Sequence, residues 1–129
     1  MRLWLALAGL NGVIGVAAGA WAWHGPLDDG ARAMASMGAQ FQLFHALALT
    51  AVAWLATRPD FPRYAVVVAG TGFTLGILLF SGSLYALAAF GAVPVRGAAP
   101  VGGFALMLGW ATLLVASVLP PRRSPAHSR

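Results

Sequence analysis

At 129 residues the chain is one domain's worth of polypeptide, and 60% of it is apolar against 9% charged, where a soluble domain carries roughly half and roughly a quarter. A small soluble fold cannot hide that excess, so the surrounding solvent is lipid. The absence of cysteine excludes disulfides, thiol nucleophiles and cysteine-ligated zinc or iron–sulfur sites, and the net charge of +5 rests on eight arginines that punctuate apolar segments instead of forming a nucleic-acid-binding face.

A bilayer core about 30 Å thick takes about 20 helical residues. Four uncharged runs of that order exist, at about 3–23, 38–57, 64–90 and 101–119. The first carries small residues at helical spacing, Ala8, Gly12, Gly15 and Gly19, the last two forming a G-x-x-x-G that lets backbones approach closely. Asn11 lies about midway along it, where an amide must find partners other than water, and His24 closes it. Arg2 before an apolar run and Ala20-Trp21-Ala22 superficially imitate a signal peptide, but the run is too long for such a core.

Gly25-Pro26 ends the first run. Asp28 and Asp29 stand where a helix can begin, able to cap free N–H groups and to interact with Arg32 one turn later, in which case the second span starts early. That span holds Gln42 and, three residues on, His45, the one ionisable group well inside a span. A neutral imidazole bonded to Gln42 or to a serine across the bundle is its structural reading, and a ligand or proton site its functional one.

Arg58-Pro59-Asp60-Phe61-Pro62-Arg63 breaks the chain before the third span. There Gly72 and Gly76 repeat the small-residue device, and 80–85 reads F-S-G-S-L-Y, placing Ser81, Ser83 and Tyr85 within six residues. Serines in lipid often bond back to their own helix, while Gly82 between them points to a kink or a close helix contact. Pro94 and Pro100 bracket the third loop, Gly102, Gly103, Ala105 and Gly109 lie in the fourth span, and Pro120-Pro121 opens a basic tail at 120–129.

Short connections imply an all-α, up-down-up-down four-helix membrane bundle. An even number of spans puts both termini on one face with Arg2, Arg58, Arg63, Arg122, Arg123 and Arg129, against Arg32 and Arg96 on the other. Short basic loops stay inside, so both termini are expected to be cytoplasmic in an inner membrane, with Trp4, Trp54 and Tyr64 at the inner boundary and Trp21, Trp23 and Phe90 at the outer one. Counted along the spans, His45, Gln42, Ser81, Ser83, Tyr85 and His24 all fall in the outer half, which predicts one polar site. If purely structural, its groups satisfy one another with no cavity and His45→Gln is tolerated. If it binds something, a pocket opens between spans two and three with His45 lining it.

These stretches resemble the membrane-protein family known as domain of unknown function 423, which includes the bacterial YgdD-like proteins and the eukaryotic transmembrane protein 256 group. The resemblance lies in Gly19-Ala20-Trp21-Ala22-Trp23-His24 for G-A-x-G-A-H, Phe41-Gln42-Leu43-Phe44-His45-Ala46-Leu47 for Y-Q-x-x-H-A-L, residues 80–85, Pro100-Val101-Gly102-Gly103 for P-x-G-G, and Gly109-Trp110 for G-W. Phe41 stands where a tyrosine is usual, Trp21 and Ala22 replace a smaller pair, and the segment between His24 and Gln42 is a few residues short. The resemblance implies a four-span fold and a membrane address, and supplies no activity, substrate or cofactor.

Among functions, an enzyme has the least support, since no carboxylate lies in a span and no nucleophile has an evident base and orienter. A haem held by His24 and His45 would need ligands whose depths differ by roughly 9 Å, so no cofactor or metal is assigned. Two readings remain: an accessory or scaffold protein packing on itself or on membrane subunits through its glycine faces, and a binder or conduit for a small molecule, lipid or ion through a polar cluster of His45, Gln42, Ser81, Ser83, Tyr85, His24 and Asn11.

Overall fold

The computed structural model describes residues 1–119; the basic tail read at 120–129, with Arg122, Arg123 and Arg129, lies outside the described residues. Those residues form four helices and no strand: α1 (Arg2–His24), α2 (Asp29–Leu55), α3 (Arg63–Phe90) and α4 (Ala98–Val118), each long and apolar enough to cross a membrane.

Local chemistry sets the ends. α1 stops at Gly25 ahead of Pro26. Asp28 caps α2, its carboxylate accepting from the Ala31 N–H at 2.8 Å, so α2 starts at Asp29 and not near residue 38. Pro62 precedes α3, and Gly91 (φ 68°) and Gly97 (φ 81°) take the left-handed backbone that ends α3 and leads into α4. Pro100, read from sequence as the edge of the loop, lies in the first turn of α4, where its missing N–H has no helical partner to lose. Through Gly82 α3 continues without interruption, and a Cβ there would meet nothing within 4 Å, so the expected close contact is absent.

Arg32 also departs from expectation. Its guanidinium passes over the carboxylates and donates to the Ala22 and Trp23 carbonyls at 2.8 Å each and to Leu27 O at 3.0 Å. The carbonyls ending α1 have no helical N–H and carry the negative end of the helix dipole, so a cation on the next helix is their natural partner.

Extensive packing among the described residues joins consecutive helices only, α1 with α2, α2 with α3 and α3 with α4. Neighbours run Gly15 with Leu43 and Gly19 with Ala39, then His45 with Phe73 and Phe41 with Phe80, then Phe73 with Gly109 and Phe80 with Gly102. Each series descends in one helix as it rises in the next. α2 and α3 supply most of the core, with Leu49, Val52 and Phe73 fully buried, whereas α1 and α4 turn Leu5, Val13, Val16, Phe104, Met107 and Leu114 outward. Such a belt of exposed apolar side chains is stable only against hydrocarbon.

The glycines separate by use. A Cβ on Gly72 would sit 2.9 Å from the Ala105 carbonyl oxygen, and one on Gly102 would sit 2.5 Å from the Phe80 backbone nitrogen, so α3 and α4 meet backbone to backbone. Gly15 is likewise committed, against Leu43 at 2.8 Å, while Gly9 and Gly12 face open space. Trp4, read as an inner-boundary anchor, folds its ring over Gly70 and ties α1 to α3 at that end.

Candidate polar site between α1, α2 and α3

The early start of α2 puts more than two helical turns ahead of residue 38. Gln42 lies 13 residues from the start of α2, about 20 Å along it, and His45 about 24 Å along. Gly38 packs on the ring of Tyr85 and Phe41 on that of Phe80 (centroids 4.6 Å apart), which sets Gln42 and Ser81 near one level and His45 about a turn below.

Three of the sequence-selected residues form a hydrogen-bonded chain. The Tyr85 phenol donates to Gln42 Oε1 at 2.7 Å, Gln42 Nε2 donates to Asn11 Oδ1 at 2.9 Å, and Asn11 Nδ2 donates to the Leu7 carbonyl at 2.8 Å. The Leu7 carbonyl only accepts, so the orientation of both amides and the direction of the phenol proton follow from it. α1, α2 and α3 are tied together by this chain.

His45 belongs to a different group. Its Nδ1 lies 2.7 Å from the Phe41 carbonyl, and its Nε2 lies 3.1 Å from the indole nitrogen of Trp110 on α4. A carbonyl only accepts and an indole N–H only donates, so both bonds together require the neutral ring with its proton on Nδ1. Phe73 and Trp110 pack around it, with ring centroids 5.5 and 6.1 Å from the imidazole. The expected His45–Gln42 and His45–serine bonds are therefore replaced by an aromatic pairing with α4. In the sequence Trp110 stands out only within its G-W pair; an indole N–H in mid-membrane must find an acceptor, and that requirement is the signal that points to it.

Ser83 bonds back to the Leu79 carbonyl, and Thr50 and Thr74 do likewise to Ala46 and Gly70, the ordinary fate of a hydroxyl in an apolar helix. Ser81 does not. Only 1% exposed, its hydroxyl has no hydrogen-bond partner among the described residues. His24 is exposed at the last turn of α1 and shares no hydrogen bond with the cluster among the described residues.

A crevice of about 310 Å³ opens along this network. Leu7, Leu10, Asn11 and Ile14 of α1 form one wall, Ile77, Leu78, Ser81 and Tyr85 of α3 the other, and Gln42 lies between them. The expectation of a pocket between spans two and three lined by His45 is corrected on both points. α1 and α3 each pack on α2, and Trp4 bridges them at Gly70, one turn below the crevice residue Thr74, so the gap falls between α1 and α3. His45, bonded toward α4, is not in its lining. Chemically the crevice offers uncharged hydrogen-bonding groups at the edge of an apolar slot. Among the described residues no three His, Cys, Asp or Glu side chains converge as a metal site would require.

Comparison with known proteins agrees with a membrane protein. No solved structure matches the chain. A UPF0382 membrane protein of Haemophilus influenzae is 43% identical over 89 residues, which cover 66% of this chain and 68% of that one. The UPF0382 membrane protein YwdK of Bacillus subtilis is 35% identical over 91 residues, covering 68% and 73%. The family described as "Protein of unknown function (DUF423)" matches residues 16–103, a stretch that holds Gln42, His45, Ser81 and Tyr85 and leaves Asn11 and Trp110 outside. With more than half of its length matched, this chain belongs to the DUF423 family of small membrane proteins.

Proposed function

We propose that the protein follows an up-down-up-down path through the inner membrane with both termini cytoplasmic, and that it acts without catalysis as a binder of an amphiphilic molecule drawn from the bilayer into the crevice between α1 and α3. The observation that carries this reading is Ser81: a residue 1% exposed in the lining of the crevice, whose buried hydroxyl has no partner among the described residues while the other polar groups there are held in place by one another. Leaving a buried hydroxyl unmet in lipid costs about 1–3 kcal/mol, and the back-bonding open to Ser83 would remove that cost. The cytoplasmic assignment rests on the arginine bias, six against two; a reporter fused at the C-terminus is expected to report inside, and an external signal would reverse it.

The binding reading is tested by purification in mild detergent or nanodiscs with native mass spectrometry. A bound amphiphile is expected with the native chain and absent with Gly82→Phe, which adds a ring at the crevice wall from a position where a Cβ meets nothing within 4 Å. Retention unchanged by that substitution would refute the site.

A second reading, an accessory protein packing on itself or another membrane subunit, keeps one observation. Most glycine contacts are spent within the chain, but Gly9 and Gly12 stay open beside Leu43 and Leu47 on the outer surface of α1 and α2. A stoichiometric protein partner lost on Gly12→Leu would favour it.

A further inference from the structure

We infer that the crevice between α1 and α3 receives an uncharged carbonyl oxygen carried on an apolar body, an inference that rests on the binding reading above and adds the ligand's chemistry. The argument begins with the direction of the hydrogen-bonded chain. Every proton in it points from Tyr85 toward the Leu7 carbonyl. Each amide NH₂ has two hydrogens and spends one of them here, so Gln42 and Asn11 each retain a free N–H, and Ser81 retains its O–H. The unmet demand in the crevice is therefore for an acceptor. A hydrocarbon tail supplies none, and a carbonyl oxygen supplies one without adding a donor of its own.

Charge and depth narrow the class. No charged side chain lines the crevice, so nothing there neutralises a phosphate or carboxylate or pairs with an ammonium group. α3 has 28 residues, about 42 Å of helix across a hydrocarbon core of about 30 Å, which puts Tyr85 near the outer edge of the hydrocarbon and Ser81 about 6 Å further in. In that zone of a bilayer the oxygen acceptors without charge are carbonyls, either the ester of an acyl chain or the ring ketone of a lipophilic quinone. A volume of about 310 Å³ admits the carbonyl and its neighbouring carbons, at the small end of ligand pockets, and leaves the remaining chain in lipid.

The test places the full chain in nanodiscs containing an equimolar mixture of dioleoyl phosphatidylcholine and its dialkyl ether analogue, which differ in the carbonyls alone, and reads the lipid retained per protein by native mass spectrometry. The ester is expected to be retained about fivefold over the ether, the equivalent of one net hydrogen bond. The preference should vanish in Ser81→Ala and Gln42→Leu and persist in Thr112→Val, a hydroxyl on α4 that bonds its own helix. If Gln42→Leu does not fold, Ser81→Ala decides alone. Adding ubiquinone separates the sources: displacement of the ester upholds carbonyl recognition and assigns it to a ring ketone, and no displacement assigns it to the acyl ester. Equal retention of ester and ether, both lost in Gly82→Phe, overturns the carbonyl inference and leaves the crevice reading intact. No retained lipid or quinone, or retention indifferent to Gly82→Phe, overturns both.

Discussion

Toward α4, α3 presents Gly72 and Gly76 and the backbones meet; toward α1 it presents Thr74, Ile77, Leu78 and Ser81, and the two helices stand apart over Gln42. On the first side His45 and Trp110 satisfy one another and aromatic rings fill the space around them. On the second, three polar groups bond in series and a fourth is left over. In lipid no hydrophobic force draws helices together, so contact depends on how closely backbones approach and on polar groups finding one another. Small residues seal one flank of α3, and branched ones hold the other open.

The largest test of that difference is Gly102→Leu. Its side chain would enter the space of the Phe80 backbone nitrogen, 2.5 Å from the Cβ position, and of Leu79, and overpacking where backbone must move is expected to cost about 3 kcal/mol or more. Unfolding in mixed micelles should show this, and Gly12→Leu, which meets nothing within 4 Å, should unfold like the native chain. Equal losses in both would remove the distinction between sealed and open faces.

Gly15→Leu is expected to fall between them, at about 1–3 kcal/mol, because the added atoms meet the flexible end of Leu43 and not backbone. A silent substitution would mean that α1 does not pack there.

Trp110→Phe sharpens the account of the sealed side. It keeps a ring beside Phe73 and removes the donor to His45 Nε2, which should cost about 1 kcal/mol, typical of interhelical hydrogen bonds in membranes. Nitrogen NMR of labelled His45 in the native chain should report a proton on Nδ1 and an unprotonated Nε2, and the Nε2 resonance should move in Trp110→Phe. A proton found on Nε2 would contradict the pairing.

The smallest effect carries an opposite sign. Ser81→Ala removes a buried hydroxyl that has no partner and should leave stability unchanged or raised by up to about 1 kcal/mol, whereas Tyr85→Phe breaks the chain to Gln42 and should lower it by about 0.6 kcal/mol. Destabilisation by Ser81→Ala in delipidated protein would reveal a partner for that hydroxyl within the chain itself.

Much of this was legible in the residues. Charge-free runs of membrane length, prolines between them and paired glycines gave the four helices, and Gln42, Asn11, Tyr85 and Ser81 stood out as polar groups that lipid would not tolerate alone. The partners of Arg32 are not legible in the sequence, because an acidic pair one turn away is the nearest along the chain, while the unmet carbonyls of α1 become its neighbours only when the two helices turn back on each other. The partner of His45 is hidden for a related reason. Spacing placed Gln42 on its own helix face, but only the seating of α4 against Phe73 brought Trp110 to its ring.

The sequence by itself determined the class of protein, the number of membrane-length helices and the residues whose polarity had to be answered, because composition, run length and hydrogen-bonding capacity belong to each residue wherever the chain goes. Only the tertiary structure decided which groups answer one another, which glycines are spent and where the crevice lies. Those outcomes depend on the rotation of each helix about its own axis: one that turns Gly72 and Gly76 into α4 also turns Ser81 toward α1, and no local property of the chain specifies it.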